Sequence, residues 1–158
     1  MLSYESYMSF LPPAMRGRAM EWFDYNQDQL ALATGTSASS NITIQNDADF
    51  LVASAVCRVN LAADVSSVLV DPPITSIVTD TSSGQQWQSR PVALSTFFAL
   101  TGTAAGGVAG LSGMLPFPRV VKAGGTISTT FAHLGVIAAV DVRYTYRGIK
   151  IYYFERGV

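Results

Sequence analysis

His133 is the only histidine and Cys57 the only cysteine, so any metal or nucleophile chemistry would have to be built around one of them. A zinc site needs three or four converging ligands, and the chain contains neither HExxH nor a Cys/His cluster. Ser-His-Asp chemistry would also have to use His133, yet there is no GxSxG elbow. His133 closes a strand-like stretch beside Leu134 and Gly135, where a satisfied structural or surface imidazole is expected. Asp47 and Asp49 invite a calcium reading, but the twelve-residue EF-hand loop is missing. They read instead as the polar approach to a strand. Glycosidases need a pair of carboxylates; Glu5, Glu21 and Glu155 are the only glutamates, all near the ends. Cys57 lies within a strand pattern as a small buried hydrophobe, and being single it makes no intramolecular disulfide. The glycines of ALTGTAAGGVAGLSG match neither GxGxxG nor a Gly-Lys-Ser/Thr phosphate loop. No catalytic, metal-binding or cofactor-binding residue is therefore expected.

The elements must carry some other kind of work. Three strands with polar breaks fill the stretch from Pro116 onward. TISTTF alternates Ile127, Thr129 and Phe131 against Thr126, Ser128 and Thr130. VIAAVDVRYTY sends Val136, Ala138, Val140, Val142, Tyr144 and Tyr146 one way. After an interruption at Gly148, Ile149, Ile151 and Tyr153 oppose Lys150, Tyr152 and Phe154. Such ribbons do not stand alone, so a second layer, supplied by the residues before Pro116, must cover their apolar side. The predicted fold is all-β: an antiparallel, jelly-roll-like β-sandwich over 29–158, preceded by an N-terminal arm, 1–28, that contains a short helix.

Earlier in the chain, LALAT and NITIQ read as short strands around a TGTSASS loop. FLVASAVCRVNL is apolar or small on both faces, as in a central sandwich strand or one buried against another subunit. ITSIVTD forms the first half of a hairpin that turns at Ser82, Ser83 and Gly84, with Trp87 on the return as a core or interface anchor. The glycine-rich stretch reads as a loop, either mobile or ordered by a partner. In the arm, AMRGRAMEWF after Pro12-Pro13 has the length of about two helical turns. Phe10, Leu11, Met20, Trp22 and Phe23 are its candidate subunit contacts.

Only 13% of residues are charged, against roughly 25–35% on an ordinary surface, so partners are expected to cover part of it. A net charge of −1 argues against a general nucleic-acid binder, whose affinity rests on neutralising phosphates. Charge is also segregated. From Gln29 to Asp80, five aspartates face Arg58 alone; beyond Asp80, seven basic residues face Asp141 and Glu155. Pairing of the two halves, within or between subunits, competes with a basic patch for a charged partner. No stretch reaches 18 uncharged apolar residues, and no basic region leads into an apolar run at the N-terminus, so neither a membrane helix nor a secretory signal is expected. Without that signal the sequon Asn41-Ile42-Thr43 is a coincidence.

The C-terminal pattern resembles accessory structural proteins of tailed bacteriophage virions. The residues that carry the resemblance are LPFPR at 115–119, GGTIS at 124–128 and VRYTYRGIKIY at 142–152, with Asp49-Phe50 opening an early strand. The resemblance covers about the last 45 residues well and the middle loosely, and its motifs are structural. It implies a sandwich of jelly-roll type, located in the virion on the capsid or at another attachment point. Implied partners are other virion proteins, the major capsid protein first, and further copies of the chain. Capsid decoration, a fibre base at a vertex or portal, and a minor head protein all fit. The rival from a different class is a carbohydrate- or receptor-binding β-module, with Tyr25, Trp87, Tyr144, Tyr146, Tyr152 and Tyr153 as stacking surfaces. Solvent exposure of those rings separates the two.

Overall fold

Strands pair first with last, second with second-last and third with third-last. The computed structural model describes residues 4–101 and 113–155. Its main strands are β1 (Arg18–Leu32), β2 (Ser37–Thr43), β3 (Ala48–Leu61) and β4 (Ile74–Asp80), then the short β5 (Gln85–Gln86), β6 (Val92–Ala93) and β7 (Ala99–Leu100). β8 (Gly113–Val121), β9 (Thr126–His133) and β10 (Val140–Glu155) complete the set. β1 pairs β10, β2 pairs β9, β3 pairs β8 and β4 pairs β5, all antiparallel. Two further antiparallel pairings, β10 with β3 and β9 with β4, close this rolled ribbon into two sheets. That nesting is the jelly-roll plan. One sheet holds β1, β10, β3, β7 and β8, the other β2, β9, β4, β5 and β6.

The all-β sandwich with a short N-terminal helix is as predicted, and the C-terminal strands are indeed covered by another layer. They do not form one ribbon, however. β8 and β10 both pair β3, while β9 crosses to the opposite sheet. The last strand starts at Val140 rather than Val136, which is fully exposed in the preceding loop. Nor does Gly148 interrupt it. The irregularity lies in β3, where Ser54 faces Arg147 and Val52 faces Gly148, leaving Ala53 as an extra residue. This bulge shifts the inward positions of β3 from Phe50 and Val52 to Ala55, Cys57 and Val59. Strict alternation through Ser54 and Val56 therefore fails.

The inner core joins both sheets. Phe98 from the β6–β7 connection packs among Phe131, Tyr144 and Tyr146, with ring centroids 5.8–6.1 Å away. Tyr25 and Phe50 meet edge to face at 4.8 Å. Edge-on contacts of this kind suit the ring quadrupoles and add to area burial.

Three local expectations are overturned. AMRGRAMEWF is not a helix; only the 3-10 turn Pro13–Met15 and the six-residue α1 (Tyr4–Ser9) are helical there. From Arg18 the chain is β1, because Phe23 and Tyr25 alternate toward the core and the strand gains β10 as its partner. Residues 18–28 thus belong to the sandwich and not to an arm. The TGTSASS loop shrinks to a turn at Gly35, whose φ of 73° suits glycine, and β2 begins at Ser37. Residues 102–112 of the glycine-rich stretch, expected to be a loop, lie outside the described residues.

What remains of the arm docks in cis. Tyr7, Leu11 and Met15 recur every four residues and form a second apolar cluster with Leu51, Ala53, Ile149 and Ile151. Those four strand residues point away from the inner core, so β3 is buried on both faces, as a central strand should be. Burying a Leu or Met side chain contributes roughly 1.5–3 kcal/mol, enough to hold a segment too short to be helical by itself.

Candidate functional site

The long strands of the first sheet outrun the shorter ones opposite, and the overhang near the start of β1 and the end of β10 collects most of the unusual side chains. Lys150 is almost fully buried there. Its ammonium donates to Gln45 Oε1 at 2.6 Å and to Asp47 Oδ2 at 2.9 Å. It also lies 4.8 Å from the Phe23 ring and 5.3 Å from that of Tyr152. Desolvation opposes the charge on Lys150, but the hydrogen bond and attraction to Asp47 prevail and raise its pKa.

On the other face of the same strands Asp49 is fully buried. It accepts from the Ala123 N–H at 2.9 Å, the Tyr153 hydroxyl at 2.8 Å and Lys122 Nζ at 3.1 Å. Burial alone would raise its pKa, yet these three donors outweigh it and hold the carboxyl below the usual aspartate value. Asp47 and Asp49 are thus anchors for two lysines. Through Lys150 and Lys122 they pair the acidic half of the sequence with the basic half inside one chain.

The residues weighed for chemistry are held in structural contacts. His133 is buried, with Nε2 3.3 Å from the Ala138 carbonyl and Nδ1 accepting the Gly135 N–H at 3.2 Å. Those bonds fix the 134–139 loop. Cys57 is buried, and the apolar surroundings push its thiol pKa far up, away from the thiolate a nucleophile needs. Among the described residues no three His, Cys, Asp or Glu side chains converge as metal ligands, and no helix is long and apolar enough to cross a membrane.

The five candidate contact residues separate. Leu11 is 2% exposed and is used within its own chain, so it is not free for a neighbour. Met20 packs at the margin of the same cluster, and Phe23 at the margin of the inner core. Phe10 and Trp22 are exposed, at 42% and 56%. Trp22 meets Tyr7 edge to face at 5.7 Å and borders a shallow pocket with Met20, Glu21 and Ile149.

Of the rings considered as stacking surfaces, Tyr25, Tyr144 and Tyr146 are buried. Trp87 is half-buried against Tyr146 and Phe97. Tyr153 is exposed, and Tyr152 stacks on the exposed Phe154 at 5.2 Å while its hydroxyl donates to Glu21. Sequence reasoning missed Leu30 and Phe154 as exposed apolar residues. Phe154 had a signal: it continues the Lys150 and Tyr152 face beyond the length that a seven- or eight-residue opposing strand covers.

No protein-family model and no curated protein sequence matches the chain.

Proposed function

We propose that the chain is a non-enzymatic structural protein of a virion, which binds capsid or neighbouring virion subunits and so stabilises or decorates the particle. One observation carries the reading. The buried charges of Asp49 and Lys150 are committed to internal pairs, while Phe10, Trp22, Leu30, Tyr153 and Phe154 remain in water. What this surface offers is packing area. The low charge content points the same way, as does the resemblance of the C-terminal strands to phage accessory proteins. The jelly roll suits the role too, being a plan used in viral capsids, though fold by itself names no function. The major capsid protein is the first partner to test.

A second reading is favoured by the stacked Tyr152 and Phe154, which lie beside the Glu21 and Asp47 carboxylates. Lectins use this fold as well, and an aromatic face flanked by carboxylates suits a sugar ring. A reconstruction of particles containing the chain decides between them. The structural reading requires Trp22 and its exposed neighbours to sit against other virion subunits. It fails if the chain is absent from purified particles. If the chain is present but Tyr152 and Phe154 face solvent and bind glycans on an array, the receptor-binding module replaces it.

A further inference from the structure

β1 ends the strand order of its sheet, so among the described residues one of its two backbone edges has no partner strand. Long edge strands invite pairing with another chain, and proteins commonly blunt them by shortening, by lysine, by proline or by inward-pointing charge. β1 is 15 residues long and contains neither lysine nor proline. Its register against β10 is unbroken from Met20 to Gln29. Two carboxylates whose charge opposes a second strand already have partners: Asp24 lies 3.2 Å from Arg147, and Asp28 lies 3.8 Å from Arg143. The edge of the opposite sheet on the same side, β2, is only seven residues long and presents Ser37, Ser39, Asn41 and Thr43 to water.

The side chains of β1 show what kind of strand would fit. Its two large exposed apolar residues, Trp22 and Leu30, are 56% and 54% exposed. Each stands four residues from Asn26, an even spacing that puts both on the same face of the sheet as Asn26. An antiparallel partner with identical sequence, related by a two-fold axis at Asn26, brings Trp22 of each copy opposite Leu30 of the other and Asp24 opposite Asp28, with Arg147 and Arg143 beside those carboxylates to offset their charge. A single exposed pair of this kind has little effect, but the two-fold repeats it at both ends of the shared ladder.

We propose that β1 is a homodimer edge: two copies join antiparallel through their β1 strands about Asn26, making one continuous sheet across the pair. This goes beyond the virion reading and does not depend on it, since the dimer would form from the purified chain alone.

Sedimentation of the full chain over a range of concentrations tests the proposal, with circular dichroism verifying that each variant is folded. The wild type should reach twice the chain mass. Trp22→Lys combined with Leu30→Lys should weaken the dimer about tenfold or more, because both ends of the ladder lose an aromatic contact and then set lysine against lysine. Asn26→Cys should form a disulfide-linked dimer on mild oxidation, because residues facing each other across an antiparallel pair have Cα atoms about 4.5–5.5 Å apart, within disulfide range. Cys57 is buried and does not compete. A wild-type chain that stays monomeric up to about 0.1 mM overturns the proposal. So does a dimer that the double variant leaves intact and that Asn26→Cys does not cross-link. Absence of the chain from particles would count only against the virion reading.

Discussion

A Cβ atom on Gly148 would lie 1.9 Å from the carbonyl oxygen of Leu51, because the bulge in β3 presses that backbone onto β10. The glycine is needed for this approach of two main chains, at the point where the inner core and the outer cluster share their strands.

Gly148→Ala should therefore destabilise the fold by about 1–3 kcal/mol, the usual cost of forcing extra volume into a packed site. Gly17→Ala is the control, since nothing lies within 4 Å of its Cβ position. Urea unfolding of both variants checks this. Equal midpoints would mean that the bulge relaxes freely.

Leu11→Ala should cost about 2–5 kcal/mol, as for a buried leucine whose cavity does not collapse, whereas Phe10→Ala on the exposed side should change little. Removing residues 1–16 uncovers Leu51, Ala53, Ile149 and Ile151. That variant should bind a hydrophobic dye and unfold earlier than the intact chain. Unchanged stability would show that the docked segment contributes nothing in cis.

Acid should weaken the protein in part through Asp49. Burial raises its pKa, but its three donors outweigh that and leave the folded-state value below the ordinary 3.8. The resulting stabilisation is present above that ordinary value and disappears as pH falls through the lower, folded one. Asp49→Asn should accordingly be less stable than the wild type at neutral pH, and the gap between them should narrow below about pH 4. A gap that does not vary with pH would show that the charge on Asp49 is irrelevant.

Lys150 gives the opposite sign. Its pKa is raised in the fold, so its contribution is complete below 10.5 and fades as pH climbs past that value. Asp47→Ala leaves the buried ammonium with Gln45 as its remaining hydrogen-bond acceptor and should lower the melting temperature. Adding Lys150→Met should recover part of the loss, because an unpaired buried charge costs more than an apolar side chain of similar length. No recovery would indicate that water reaches the amine.

Much of the fold was legible because alternation survives wherever one face is wet. β9 appears as predicted, with Ile127, Thr129 and Phe131 inward, and β4 matches ITSIVTD throughout. Legibility failed where the pattern had a second cause. Ala53 breaks the period of β3, and no residue type announces a bulge opposite Gly148. AMRGRAMEWF read as about two helical turns after Pro12-Pro13, yet Trp22 and Phe23 answered to a partner strand more than a hundred residues away. At the candidate site, Trp22 and Phe10 were picked out as aromatic side chains of the expected arm, and both are exposed. Leu11 looked the same in the sequence, and its burial follows only from the packing of the arm against Leu51 and Ile149.

Because β1 has β10 as its sheet neighbour, with Tyr25 opposite Tyr146, the earliest-made strand of this sandwich waits for its latest-made one. Until the residues beyond 139 are made, β1 has neither of its edges satisfied, and long-range antiparallel closure of this kind is intrinsically slow. Nascent chains on neighbouring ribosomes would hold out the same bare strand at the same moment. Synthesis rate, and any chaperone that screens β1 meanwhile, should set the yield of folded protein more than the stability of the finished sandwich does.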